Sequence, residues 1–388
     1  MRLGPHERKG EGTTWIRPKG VLLDDPDWHM ATNYLVQIEN GTITTVVSDE
    51  KNIKDDVIEL RDDYVVPGLV DLHAHLEPGQ PSGNRSTPVQ GPLHHAEILL
   101  QAGITTVRDV GSPMDLLTTR DVLNGSPSRY PRVYMAGRPM TVAHGHGSDI
   151  GYIVQDPKNI TPIMDKLRRD GVDLVKVMAT AGGAHGGQPQ FGLESLKRIV
   201  GSAHKFGLQV AAHAHSSEGI QRCILAGVDT IEHASFKEGS ELVWNQAVAE
   251  SLARSGITAV FTPVNHRKAK TNNDVQRMRD IEGQWRHLHA MGVTIAVGTD
   301  VGVSVMRFED SLVYAMETLE HAGIPTIAIL NAVWHKGARA LGLEGKIGSI
   351  RVGARADLIG VQTDPLVTVR AFRHVTWVMR DGVKSKGD

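Results

Sequence analysis

Cysteine is almost missing from this chain: Cys223 is the only one among 388 residues. An intrachain disulfide is therefore impossible, and zinc sites built from several thiolates are excluded. Charge of one sign is also lacking. The formal net charge is −2, so nothing points to nucleic acid or to an anionic membrane as a partner. No apolar run is long enough to span a bilayer. The stretch Met1 to Gly12 is polar and has no apolar core of the kind a signal peptide carries. It reads as a mobile tail, and a cytoplasmic location is expected. No G-x-G-x-x-G turn follows the first buried strand, which argues against an open, doubly wound nucleotide-binding sheet. Internal repeats and low-complexity tracts are absent as well.

What is present is histidine, nineteen residues against six phenylalanines, in a composition otherwise ordinary for a globular protein. The length suits a large barrel with a small satellite better than one small domain. Residues 13–66 read as short strands: Thr14–Leu23, Tyr34–Glu39, Thr42–Val47 and Val57–Leu60, with Asn40-Gly41 as a hairpin turn. Strands and helices then alternate. Eight strands are expected at Leu69–Leu72, Ile104–Arg108, Val133–Ala136, Leu174–Val177, Gln209–Ala212, Thr230–Ile231, Thr258–Phe261 and Thr294–Val297. Helices are expected at Leu93–Gln101, Ile160–Arg169, Leu193–Phe206, Gly219–Ala226, Leu242–Arg254, Val275–Met291 and over 326–342. Eight short apolar strands alternating with helices predict an α/β fold, a (β/α)₈ TIM barrel over 67–344. Strands return at Ile347–Arg351, Asp357–Val361 and His374–Arg380. Both ends are β-rich, so residues 1–66 and 345–388 are expected to pair in one small β-sandwich domain.

Barrel enzymes keep their chemistry at the C-terminal strand ends. The first predicted strand runs into His73-Ala74-His75, two imidazoles at i and i+2 on one face, with Asp71 below them. The fourth carries Lys176 within an apolar run. The fifth ends at His213, the sixth in Glu232-His233 and the eighth at Asp300. Five strand ends in order bearing ligand-type residues point to a metal centre. Lys176 is the most informative, because lysine is rarely fully buried. A buried ion pair or a stem reaching to water would explain it plainly. Alternatively, desolvation depresses its pKa, and the neutral amine reacts with CO2 to give a carbamate able to bridge two cations. Two divalent ions set against Asp300, a carbamate and a bridging hydroxide leave a net-positive site suited to polarising a carbonyl.

The chain resembles the amidohydrolase superfamily of metal-dependent hydrolases, and within it the imidazolonepropionase-related group that includes Xaa-Pro dipeptidases. The matching segments are Val66-Pro-Gly-Leu-Val-Asp-Leu-His-Ala-His75, Ala102-Gly-Ile-Thr-Thr-Val-Arg-Asp-Val-Gly111, Val175-Lys-Val-Met-Ala-Thr-Ala-Gly-Gly183, Val210-Ala-Ala-His-Ala-His215, Gly227-Val-Asp-Thr-Ile-Glu-His233, Val297-Gly-Thr-Asp300 and Gly348-Ser-Ile-Arg-Val-Gly-Ala-Arg-Ala-Asp-Leu358. The resemblance implies His73, His75, carboxylated Lys176, His213, His233 and Asp300 as ligands of two divalent ions, commonly zinc. Manganese, cobalt and iron suit the same donors. One departure is Asn331-Ala-Val-Trp-His-Lys-Gly-Ala-Arg339, where the family usually shows a Thr-x-Asn-x-Ala-like stretch.

The implied reaction is hydrolysis of a small amide: a dipeptide, an N-acyl amino acid, or a related amide or carbamate. A metal-bridging hydroxide would attack, with Asp300 moving the proton and a loop histidine, His144 or His146, steadying the oxyanion. His215 and His185 are candidate substrate contacts. Arg307, with Arg85, Arg267 and Lys268, could bind a substrate carboxylate. The competing enzyme is a one-metal deaminase or cyclic amidine or imide hydrolase on the same fold. Such relatives usually carry a glutamate shortly after the fifth-strand histidine and lack the fourth-strand lysine. Here Glu218 lies five residues past His213 and Lys176 is present, which favours two metals. A non-catalytic binding barrel would be expected to have lost ligands, and none of the six is missing. The expected partner is a small molecule. A homo-oligomer is compatible with the sequence, which carries no sign of oligomeric state.

Overall fold

A computed structural model describes residues 10–23, 28–49, 57–77, 90–112, 116–156, 159–182, 186–239, 241–263, 271–303 and 306–387. It contains two kinds of sheet. One is mainly antiparallel and has eight strands, drawn from both ends of the chain. Its order runs Val383–Lys386, Val375–Arg380, Leu358–Val361, Val57–Pro67, Thr13–Leu22, Tyr34–Glu39 and Thr42–Ser48, with Met30–Ala31 pairing beside Thr13–Leu22. The expected pairing of the two termini is thus realised through Val57–Pro67, which lies between an N-terminal and a C-terminal strand. Of the tail read over 1–12, residues 1–9 lie outside the described residues. Gly10 is tied down, its N–H donating to Asp381 O at 2.9 Å.

The other kind is parallel. Strands Leu69–Ala74, Ile104–Asp109 and Arg132–Met135 form one run. Strands Leu174–Met178, Gln209–Ala214, Thr230–His233, Thr258–Phe261 and Ile295–Val297 form another. These are the eight strands the alternation predicts, numbered first to eighth below. Backbone bonds join the two runs at both sides. Asp173 N donates to Met135 O at 2.9 Å, and Asp300 N donates to His73 O at 2.7 Å. Ala74 also bridges Val301 in parallel. Gly298 has no side chain because a Cβ there would collide with His73.

Alternation sorts each strand into two faces. In the first strand, Val70 and Leu72 pack with Val260 and Ala296 against Ala338, Leu341 and Leu343. Asp71 and His73 are left on the other face. Helices cover the apolar sides, as at Leu193–Lys205, where Leu196, Ile199, Val200 and Ala203 are buried at helical spacing. Cys223, on helix Ser217–Ala226, is fully buried, and burial pushes its thiol up to about 12. A thiol reagent at mildly alkaline pH should therefore leave the native protein unmodified and react once per chain after denaturation. Rapid reaction of the native protein would contradict this packing.

Four local expectations are corrected. Helix Leu242–Arg254 starts later, at Gln246, because Glu241–Leu242 pairs with Lys237–Glu238 and Asn245 caps the helix, accepting from Val248 N at 3.2 Å. Residues Ile347–Arg351 form no strand, since Gly348 adopts φ 72°, a left-handed kink that breaks the pleat. The single helix over 326–342 is three pieces, with a π turn at Ala332–Lys336. Two further helices, Leu116–Asn124 and Ser311–His321, stand where none was expected.

Candidate metal centre

The parallel strands bring the expected ligands to one place. His73, His75 and Asp300 offer donor atoms within 4.8 Å of one another, and so do His213, His215 and His233. The two groups adjoin: the His73 and His233 ring centroids are 4.8 Å apart. Asp300 Oδ1 lies 3.3 Å from His73 Nε2 and 3.4 Å from His75 Nε2. The backbone is bent to achieve this, with φ 55° at Asp300 and 72° at His233. Left-handed non-glycine residues at strand ends are a form of local strain that gathers at functional sites.

Several imidazoles have their outward nitrogen already committed. His73 Nδ1 bonds Glu232 at 2.7 Å, His75 Nδ1 bonds Gly111 O at 2.9 Å and His233 Nδ1 bonds Thr262 Oγ1 at 2.8 Å. His215 Nδ1 meets Ser235 Oγ at 2.8 Å. In each case Nε2 is the nitrogen left for the centre. Asp71 anchors the floor, accepting from Thr299 Oγ1 at 2.7 Å and from His73 N at 3.1 Å.

Lys176 points into the same interior and is only 1% exposed. Its Nζ and the Nε2 of His213 are buried polar atoms without a hydrogen-bond partner. Such orphans are costly unless something else satisfies them. Burial lowers the Lys176 amine to about 8, with Arg108 assisting against the pull of Glu232 and Asp300. Burial and neighbouring imidazoles hold His213 and His233 far below their usual range. Burial, with Lys237 and His146, takes His215 down to about 3. Desolvation opposes ionisation of Asp300, but hydrogen bonds from His73 and His75 overcome it and keep the carboxyl well below its usual value. His213, His215 and His233 are thus held neutral and Asp300 ionised, the forms in which such groups ligate a cation, whereas burial at His75 is outweighed by Asp300, which raises it. A buried amine without a partner and two adjacent donor trios therefore fit a pair of divalent ions.

Not every predicted contact converges. His146 reaches the centre, its ring 4.5 Å from that of His213. His144 is exposed on the same loop, at φ 59°. Arg307 is exposed and bonds Glu309 through Nε at 2.7 Å. His185, Arg85, Arg267 and Lys268 lie outside the described residues. Glu218, the residue weighed for a deaminase, is exposed and ion-paired with Arg222 on a helix surface. What the motif reading passed over is the layer beneath the ligands: Arg108 is 1% exposed and Glu232 is fully buried. The signal was available, since each is a charged residue inside an apolar strand.

A family model described as the amidohydrolase family matches residues 64–384. The chain belongs to that family, which places it among hydrolases acting on carbon–nitrogen bonds. Among curated proteins it is 25% identical over 382 aligned residues to the ochratoxinase of Aspergillus niger, covering 83% of this chain and 76% of that one. It is 23% identical to the imidazolonepropionase of Sphingopyxis alaskensis, covering 89% of this chain and 90% of that one. Among solved structures, a Xaa-Pro dipeptidase with bound methionine in its active site superposes with a TM-score of 0.85 at 26% identity, over 97% of this chain and all of that chain. Among the described residues no helix is long and apolar enough to cross a membrane.

Proposed function

We propose that this chain is a two-cation hydrolase of small amides. Its eight parallel strands would close as a (β/α)₈ barrel over 67–344, with residues 1–66 and 345–388 as a separate β-sandwich domain. The observation that carries the reading is the buried, unpartnered Lys176 amine, which interacts electrostatically with one member of each ligand trio, Asp300 and His213. His73, His75 and Asp300 would hold one cation, and His213 and His233 the other. Lys176, as its carbamate, would join them; an unmodified ammonium would be repelled. Zinc suits these donors. When bound, such a pair supplies Lewis acidity and a water of lowered pKa.

The chain's own residues account for the rest. Asp300, kept ionised, accepts the proton of the attacking water and returns it to the departing nitrogen. His146 stands at the rim beside His213, placed to donate to the carbonyl oxygen as charge develops there. His215, half-buried, stacks on His233 with centroids 4.9 Å apart and would contact the substrate. A dipeptidase and an ochratoxinase among the relatives support a small peptide or N-acyl amino acid as substrate.

The test is metal removal followed by a substrate screen. Chelator treatment should abolish hydrolysis of dipeptides or N-acyl amino acids. Activity should return as divalent ion reaches about two per chain. A metal-to-protein ratio near one, with ammonia released from a heterocycle and no amide cleaved, would establish the one-metal deaminase instead.

A further inference from the structure

Beneath the ligands lies a charge pair that the proposed reaction does not use. Glu232 sits on the sixth strand next to His233, fully buried. Both of its oxygens are engaged. Oε1 accepts from Arg108 Nη2 at 2.8 Å and from Thr230 Oγ1 at 2.5 Å, while Oε2 meets His73 Nδ1 at 2.7 Å. Arg108, on the second strand, also donates through Nε to Leu72 O at 2.6 Å, on the strand that carries His73. Its Nη1 reaches Thr230 at 3.1 Å. The guanidinium thus crosses the interior from the first strand to the sixth.

A buried ion pair is poor value as a source of stability, because desolvating both charges costs several kcal/mol. Here the geometry gives it another use. Glu232 already receives Arg108 and Thr230 on one oxygen, so its second oxygen is left for one donor. That donor is His73 Nδ1–H. The ring is then oriented with Nε2 facing Asp300, 3.3 Å away. The other ligand imidazoles with a resolved Nδ1 bond, His75 and His233, lean on neutral oxygens, those of Gly111 and Thr262.

We propose that Glu232, held by Arg108 and Thr230, is a positioning residue that fixes His73 with its proton on Nδ1 and presents Nε2 as the most strongly donating imidazole of the centre. The inference rests on the two-cation reading above. An anionic acceptor behind a ligand imidazole raises the basicity of the ligating nitrogen and locks its tautomer, and removing such a partner typically weakens metal binding about 10–100-fold.

The experiment titrates zinc into metal-free wild type and Glu232→Gln in competition with a chromophoric chelator. Glutamine keeps the shape but not the charge. One of the two zinc affinities should fall by about 10–100-fold and the other stay put. Unchanged affinity at both sites overturns the positioning role and leaves the two-cation reading standing. Wild type that binds no zinc overturns both. The second measurement needs no variant. Imidazole nitrogen-15 correlation spectra of zinc-loaded wild type should show His73 protonated at Nδ1 and metal-bound through Nε2. A proton on Nε2 refutes the proposal even if Glu232→Gln fails to fold.

Discussion

Lys176→Met should cost the enzyme about 10³-fold in kcat/KM, because one cation contributes several kcal/mol of transition-state stabilisation and each 1.4 or so is tenfold. The bound metal should drop from two per chain toward one. Stability should move the other way. In the metal-free protein Lys176 is a buried amine with no partner, and methionine fills similar space without a polar atom to desolvate. The metal-free variant should therefore melt at or above the metal-free wild type. Circular dichroism and metal analysis on the same samples check both halves. Loss of activity with a lowered melting point would mark Lys176 as a structural residue.

Arg132→Met should be strongly destabilising, although Arg132 is not among the candidate ligands. Arg132, on the third strand, is 1% exposed. It donates to Asp357 Oδ2 and to Asp381 Oδ1, both at 2.6 Å. Removing it leaves two carboxylates buried with reduced compensation, and breaking such a pair costs about 3–5 kcal/mol. The pH profile carries the sign. Burial alone would raise Asp381, but Arg132, Arg380 and Arg355 outweigh it and bring the carboxyl down to about 2. An unfolded aspartate titrates near about 3.9. Asp381 therefore stabilises the wild type fully above that value, and the contribution is lost as pH falls toward about 2. In Arg132→Met this acid limb should shift to higher pH. Urea unfolding across the acid range measures the loss and the shift together. A variant within about 1 kcal/mol of wild type, in the ordinary range for single substitutions, would show that the pair carries no such load.

The parallel strands were legible because their cores are short apolar runs, and because a charged or imidazole residue inside such a run is rare enough to notice. Lys176 and His73 are of that kind. Glu232 and Arg108 are too, yet a motif reading takes the histidine beside Glu232 and stops. Their partnership joins strands far apart in sequence, and no local pattern encodes a bond between positions 108 and 232. The distinction between His144 and His146 was equally hidden. Both sit in one glycine-rich loop, and only the fold shows that the second meets His213. Short pairings such as Lys237–Glu238 with Glu241–Leu242 are too brief to leave a periodic trace.

The antiparallel sheet has a consequence for how the chain is made. Strand Val57–Pro67 pairs on one side with Thr13–Leu22, an early neighbour, and on the other with Leu358–Val361. At ~5–20 residues per second, a ribosome leaves that second edge open for on the order of tens of seconds. An unpaired edge of this kind is a template for the wrong partner, including another nascent copy. The strand at Leu358–Val361 thus acts as a seal, and a chain shortened before Leu358 should collect in the insoluble fraction on expression.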